Sequence, residues 1–169
     1  MKPAREKAPP ARPQGLPAIL FSVRQFVFAI AASAVAEIQV PSQVGSPEKC
    51  QCGAIISSLV RDGRRYWVVD ANRHFQIART QSKRILLFSE MPVALKVDSI
   101  LRMTTLPKIL PLPHAFHGDE RNWYLGLAVL DEQAVPLVNP ASLLVPEKLV
   151  ELQSHIDATV QSEAATVLA

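Results

Sequence analysis

The chain is written in short apolar runs of strand length, separated by polar turns. The clearest is Trp123 to Leu144, WYLGLAVLDEQAVPLVNPASLL, which reads as two strands, Trp123–Leu130 and Ala134–Val138, joined by Asp131, Glu132 and Gln133. Its apolar residues are too continuous for a hairpin washed by solvent, so at least one strand is expected to be buried on both faces. The same pattern stands 69 residues upstream in LVRDGRRYWVVDANRHF (Leu59 to Phe75), where Val60 matches Val129, Asp62 matches Asp131 and Val69 matches Val138. FAIAASAVAEI (Phe28 to Ile38) matches VALKVDSILRM (Val93 to Met103) at an offset of 65. Two similar halves, about 18–78 and 79–145, each built as strand, strand and hairpin, are the simplest reading.

The remaining runs fill in those halves. Ile19–Val23 and Phe26–Ile30 form a hairpin through Arg24 and Gln25, followed by a short helical or extended piece to Val40. Pro41 to Gly53 is a loop by its Pro, Gly and Ser content. Arg61 to Arg65 is a turn in which Gly63 is free to take positive φ, and Tyr66–Asp70 is a strand of aromatic and β-branched residues. Tyr66 and Trp67 point to opposite faces, which makes one a core residue and the other a candidate contact. Arg84–Phe88, Val93–Val97 and Ser99–Met103 follow as extended elements, and three prolines keep KILPLPHAFHGDE irregular. Pro146 opens a helix whose Leu149, Leu152, Ile156, Val160 and Ala164 share one stripe, so residues 146–169 are expected to be amphipathic and helical. Phe21, Phe28, Ile30, Val69, Leu95, Val97, Leu127 and Leu137 are the predicted core.

Charge sharpens this picture in one place. The formal net charge of +3 is carried by residues 1–17, where Lys2, Arg5, Lys7 and Arg12 outweigh Glu6. This leader, rich in proline, is read as a disordered basic tail. The remainder is neutral, with 14 basic and 14 acidic residues, which argues against nucleic acid as a partner. Ala18 to Val40 is broken by Arg24, Gln25 and Glu37 and falls short of the roughly 20 apolar residues of a membrane span.

With the halves in place, the chain resembles the CheW-like family, the coupling proteins of bacterial chemotaxis. The resemblance rests on FSVRQFVFAIAASAVAEI (Phe21 to Ile38), GRRYWVVDANRHF (Gly63 to Phe75), VALKVDSILRM with its Val97–Asp98 pair, and the closing WYLGLAVLDEQAVPLVNPASLL with Tyr124, Gly126, Leu130 and Leu143. It covers roughly Leu16 to Val145. It implies a mainly β fold of two adjacent five-stranded SH3-like barrels, with strand exchange between them left open, and a C-terminal amphipathic helix. It further implies a cytoplasmic adaptor without catalysis, cofactor or metal. Its expected partners are the regulatory domain of a histidine kinase and the cytoplasmic tips of chemoreceptors, with no insertion into the membrane.

The departures fall on the turn that the resemblance places beside the receptor groove. The family's asparagine-leucine-arginine-glycine stands here as Val60-Arg61-Asp62-Gly63, and Trp67 replaces a proline. Arg61, Asp62, Gly63, Arg64, Arg65 and Trp67 are therefore the candidate partner-binding residues. Three guanidinium groups exceed what a turn needs and suit an acidic partner surface; the plain alternative is a solvated hairpin tip.

Other chemistry finds little support. Cys50 and Cys52 lack the spacing and the second pair that zinc or a redox motif requires. His114, His117, Asp119 and Glu120 stand in a proline-rich loop that promises no fixed metal geometry. The six glycines are scattered singly, so there is no phosphate loop. Two other functions stay in view: a degenerate interaction module for another complex such as surface motility, and an exported β-domain with a Cys50–Cys52 thiol function. For the second, a basic start, Phe26 to Ala32 and Ala34-Val35-Ala36 outline a secretory signal.

Overall fold

A computed structural model describes residues 14–41, 48–52, 54–154 and 157, the side chains of 48–52 and of 56 excepted. The body is mainly β, in two six-stranded sheets, each curled on itself without closing. The first sheet runs β10 (Ile109–Leu110), β11 (Tyr124–Leu130), β12 (Gln133–Val138), β2 (Phe26–Ala31), β1 (Leu16–Val23) and β9 (Ser99–Leu106). The second runs β4 (Glu48–Cys52), β5 (Ile55–Arg61), β6 (Arg64–Asp70), β8 (Val93–Val97), β7 (Arg84–Phe88) and β3 (Val35–Gln39).

Written side by side, the two orders are one order. β1 and β2 correspond to β7 and β8, β3 to β9, and β4–β5–β6 to β10–β11–β12, so the duplicated pattern of the sequence is a duplicated topology. The halves do not fold separately, however. β3 leaves the first hairpin and pairs with β7 in the second sheet, while β9 leaves β8 and pairs with β1 in the first. Each half thus places two strands in one sheet and four in the other, and the expected division near residue 78 is no boundary between sheets.

The exchange explains the unusually apolar strands. One cluster fills the first sheet's interior (Leu20, Ala29, Ala128, Val135, Leu137) and another the second's, from Ile85, Ala94, Leu59, Tyr66 and Val68 at the equivalent positions. A third and larger cluster lies between the sheets and includes Phe21, Phe28, Ile30, Val69, Leu95 and Val97. Strands β1, β2, β6, β7 and β8 contribute residues to a sheet interior on one face and to the shared core on the other, so they carry no polar alternation.

Several expectations need correction. Leu127 is only half-buried, because β11 turns Leu125, Leu127 and Val129 outward and buries Tyr124, Gly126 and Ala128. The two-sided strand of that hairpin type is β6, where Tyr66 through Asp70 are all buried. Residues 48–52, expected in a loop, form the edge strand β4. The chain becomes extended at Leu16, inside the expected tail, whose first 13 residues lie outside the described ones. Helical backbone runs over 146–154, with Leu152 buried in the shared core and Leu149 against it, so that end docks on the body. The stripe positions Ile156, Val160 and Ala164 lie outside the described residues.

The hydrogen-bonding devices are repeated as well. Asp70 caps α1 (Ala71–His74) by accepting from the Asn72 amide at 2.9 Å. Its equivalent Asn139 caps the 3-10 turn Pro140–Ser142 by accepting from the Ala141 amide at 3.2 Å. A second short helix, α2 (Glu120–Trp123), leads into β11. The apolar run and small residues that outline a secretory signal form β2, the 3-10 turn Ala32–Ala34 and the start of β3, with Ile30 fully buried. Among the described residues no helix is long and apolar enough to cross a membrane.

Candidate functional site

The β5–β6 hairpin ends in Arg61-Asp62-Gly63-Arg64, with positive φ at Asp62 (51°) and Gly63 (75°). Two left-handed residues in a row make the two-residue turn whose twist suits a hairpin. A Cβ added at Gly63 would meet nothing within 4 Å, so its glycine answers the backbone angle alone.

The three arginines are exposed or half-exposed, and each is held within the chain. Arg61 forks onto Glu37 of β3, with Nη2–Oε1 at 3.1 Å and Nε–Oε2 at 3.2 Å, and lies 3.7 Å from Asp62. Since β3 and β5 lie towards opposite ends of one sheet, this pair spans the seam that the strands leave unclosed. Hydrogen bonds from Gln39 and then Arg61 hold the Glu37 carboxyl below its ordinary range. Arg64 donates to the Ser89 carbonyl at 2.9 Å and stacks its guanidinium over the Tyr66 ring at 5.1 Å. Arg65 donates to the Ser58 hydroxyl at 2.7 Å across the ladder.

Five of the six candidate residues therefore share one tip, and the sixth does not. Trp67 is 3% exposed, in the core between the sheets, and Tyr66 is buried in the second sheet's interior. The expectation that one of these aromatics faces outward fails because β6 has a packed layer on both sides. Cys50 and Cys52 lie on β4, but their side chains are outside the described residues. His114, His117 and Asp119 stay exposed in their loop, and among the described residues no group of His, Cys, Asp and Glu is placed to hold a metal.

Sequence reasoning passed over a second concave feature. A cleft of about 670 Å³ opens between the β1–β2 turn and the β11–β12 hairpin, with Arg24 and Gln133 at its rim. Phe28, Phe75, Phe116 and Tyr124 line it with aromatic rings; Phe75 stacks on Phe28 at 4.7 Å and on Tyr124 at 5.9 Å. Burial and the charge of Glu120 push the Tyr124 hydroxyl up to about 12, so it stays protonated at neutral pH. Proline at 136, inside an otherwise apolar strand, was the signal available for this feature.

Comparison with known proteins agrees with this architecture. A family model described as CheW-like domain matches residues 17–148. No curated protein matches the chain. Among solved structures it is similar to the crystal structure of the scaffolding protein TtCheW from Thermoanaerobacter tengcongensis, with a TM-score of 0.68 and 17% sequence identity. That match covers 78% of this chain and 94% of the other.

Proposed function

The chain belongs to the CheW-like domain family, and from that premise we propose that it is a non-catalytic scaffold of bacterial chemotaxis, working in the cytoplasm as an adaptor between the cytoplasmic tips of chemoreceptors and the regulatory domain of a histidine kinase. The observation that carries the reading is the reciprocal exchange of β3 and β9. It locks two barrels into one body with a large shared core, so two barrel surfaces keep a fixed relation to each other. A fixed relation is what an adaptor needs to hold two partners at once, because little interface order has to be created on binding.

Within this reading the β5–β6 tip is the partner surface. Arg61, Asp62, Gly63, Arg64 and Arg65 present cationic chemistry beside a neutral body, and guanidinium forks suit carboxylates. Their contacts to Glu37, Ser89 and Ser58 pre-set the side chains rather than consume them, since a guanidinium carries five donors. Trp67, buried in the core between the sheets, is left out of this surface.

The test is assembly from purified parts. Full-length chain, the regulatory domain of a chemotaxis histidine kinase and a receptor cytoplasmic fragment are mixed and followed by sedimentation velocity. The proposal expects a three-component complex that forms only when the chain is present. If the chain bound neither component, the degenerate-module reading would replace it. That alternative is favoured by one feature, Asp62 at the position where the family carries the receptor-linked arginine.

A further inference from the structure

The cleft at Arg24 and Gln133 is walled by the β1–β2 turn and the β11–β12 hairpin on one side, and by residues 75–78, Phe116 and Glu120 on the other. Its floor is made of rings. Phe28, Phe75 and Tyr124 stack with their planes 12–15° apart, and Phe116 meets Tyr124 edge-on at 5.8 Å. The duplication shows what folding asks of these positions. The equivalents of Phe28, Phe75 and Tyr124 are Val93, Leu144 and Ile55, which pack in the same core between the sheets with aliphatic side chains. Packing there needs apolar volume; it does not need aromatic rings, still less a hydroxyl.

Three polar side chains of the cleft are likewise unexplained by the fold. Tyr124 is only 8% exposed, yet its hydroxyl is not enclosed and finds no hydrogen-bond partner among the described residues. Arg24 stands at φ 57° in the two-residue β1–β2 turn. Gln76 stands at φ 55° where α1 ends, its amide on the Arg73 carbonyl and the Ile77 amide on that of Asn72. Glycine takes both of these places without a Cβ penalty, and both instead carry long polar side chains that line the cleft. The Arg24 guanidinium is exposed and makes no hydrogen bond or ion pair among the described residues. The Asp98 carboxylate, which holds this turn, is taken up by the Arg24 amide and the Thr80 hydroxyl, each at 2.6 Å. Glu120 lies on the opposite wall, where its charge acts on the Tyr124 hydroxyl.

We propose that this cleft binds a small aromatic acid, a molecule of one or two fused rings carrying a single carboxylate. Its volume of about 670 Å³ is that of a small-molecule site, and an apolar floor with a few placed polar groups is the usual make-up of one. The rings favour a planar aromatic body, because aromatic pairs gain from offset and edge contacts that an aliphatic chain cannot make. Arg24 forks onto the carboxylate in a charge-assisted pair, and the Tyr124 hydroxyl and Gln76 amide offer further hydrogen bonds. Glu120 repels a second anion on the far wall, which limits the ligand to one. The site shares no residue with the arginine tip and does not rest on the scaffold reading.

The experiment titrates benzoate, phenylacetate and indoleacetate into the full chain and follows the backbone amides by NMR. Shifts are expected at residues 24–28, 75–78 and 133–135, with the best acid saturating at about 1 mM or below. Tryptamine, with the indole ring and the opposite charge, and hexanoate, with the charge and no ring, should bind at least about tenfold more weakly. Arg24→Gly should weaken the best acid at least about tenfold while raising Tm by about 1–4 °C, because the turn is relieved of its Cβ. Tyr124→Phe should weaken it several-fold with an unchanged melt. Wild-type affinity or a lowered Tm in Arg24→Gly would overturn the proposal. So would tryptamine or hexanoate binding as well as the aromatic acids, or no shift at the cleft with any of the three acids.

Discussion

The β5–β6 and β11–β12 hairpins occupy equivalent places in the two barrels and follow one backbone plan, yet their tips carry different chemistry. Both turns begin with an aspartate in the left-handed region, Asp62 at φ 51° and Asp131 at φ 49°. Both tips reach an ion pair on the exchanged strand across the seam, Arg61 with Glu37 at 3.1 Å and Asp131 with Arg102 at 3.0 Å. Glu37 and Arg102 are equivalent positions, so the staple is kept while its polarity is reversed. The fold therefore asks for a left-handed turn and a pair of opposite charges, and it does not ask for arginine. What one tip has beyond its equivalent, Arg64 and Arg65 in place of Gln133 and Ala134, is the part that folding leaves unexplained.

The largest effects should come where the halves are most alike. Ile30 and Leu95 are equivalent, and neither is exposed. Truncating either to Ala should cost about 2–5 kcal/mol in urea denaturation, whereas Leu127→Ala should cost under about 1.5 kcal/mol because β11 leaves that side chain half in water. Equal losses at Leu95 and Leu127 would break the assignment of inner and outer faces.

Next in size is a place where the halves differ. Leu143 is buried at the position equivalent to His74. Burial lowers His74 from 6.5 to about 4, and its Nε2 has no hydrogen-bond partner among the described residues. The folded form keeps this ring neutral, while the unfolded chain takes up a proton once pH drops below about 6.5. Stability is therefore full above that pH and declines as pH falls towards 4, by up to roughly 3 kcal/mol. His74→Leu, the residue that the repeat already uses, should remove that decline, as denaturation midpoints at pH 7 and pH 4.5 would show.

Part of this likeness between the halves is written in the sequence and part is not. The hairpins and their 69-residue offset were legible because period-two burial and turn residues are local signals. The exchange of β3 and β9 was not, since an apolar strand between two hairpins does not say which sheet it joins. Edge strand β4, EKCQC, has too little apolar content to stand out from its Pro- and Ser-rich surroundings. Arg61, Asp62, Gly63, Arg64 and Arg65 stand out in the sequence by charge and turn chemistry, whereas the burial of Trp67 depends on a second layer that only the exchange creates. The contact of Arg64 with Ser89 joins elements that no local pattern links, so the sequence does not show it.

Smaller effects concern the turns. Glu132 holds φ 62° where Gly63 holds 75°. Glu132→Gly should stabilise by a few tenths to about 1 kcal/mol, and Gly63→Glu should cost about the same, since only glycine takes that region without a Cβ penalty. Thermal melts that moved in the same direction for both would contradict the equivalence. Smallest of all are the exposed staples. Exchanging the charges as Glu37→Arg with Arg61→Glu should leave stability near that of the wild type, while either change alone lowers it slightly and by less in high salt.

The most direct measurement bears on the arginine tip as a partner surface. Arg61→Leu with Arg64→Gln gives the β5–β6 tip the side chains that its equivalent already carries at Leu130 and Gln133. Sedimentation velocity of this variant with the kinase regulatory domain and receptor fragment should show the three-component complex lost, with thermal stability close to wild type. A complex of wild-type affinity would mean that the arginines are a solvated turn and that the scaffold binds elsewhere.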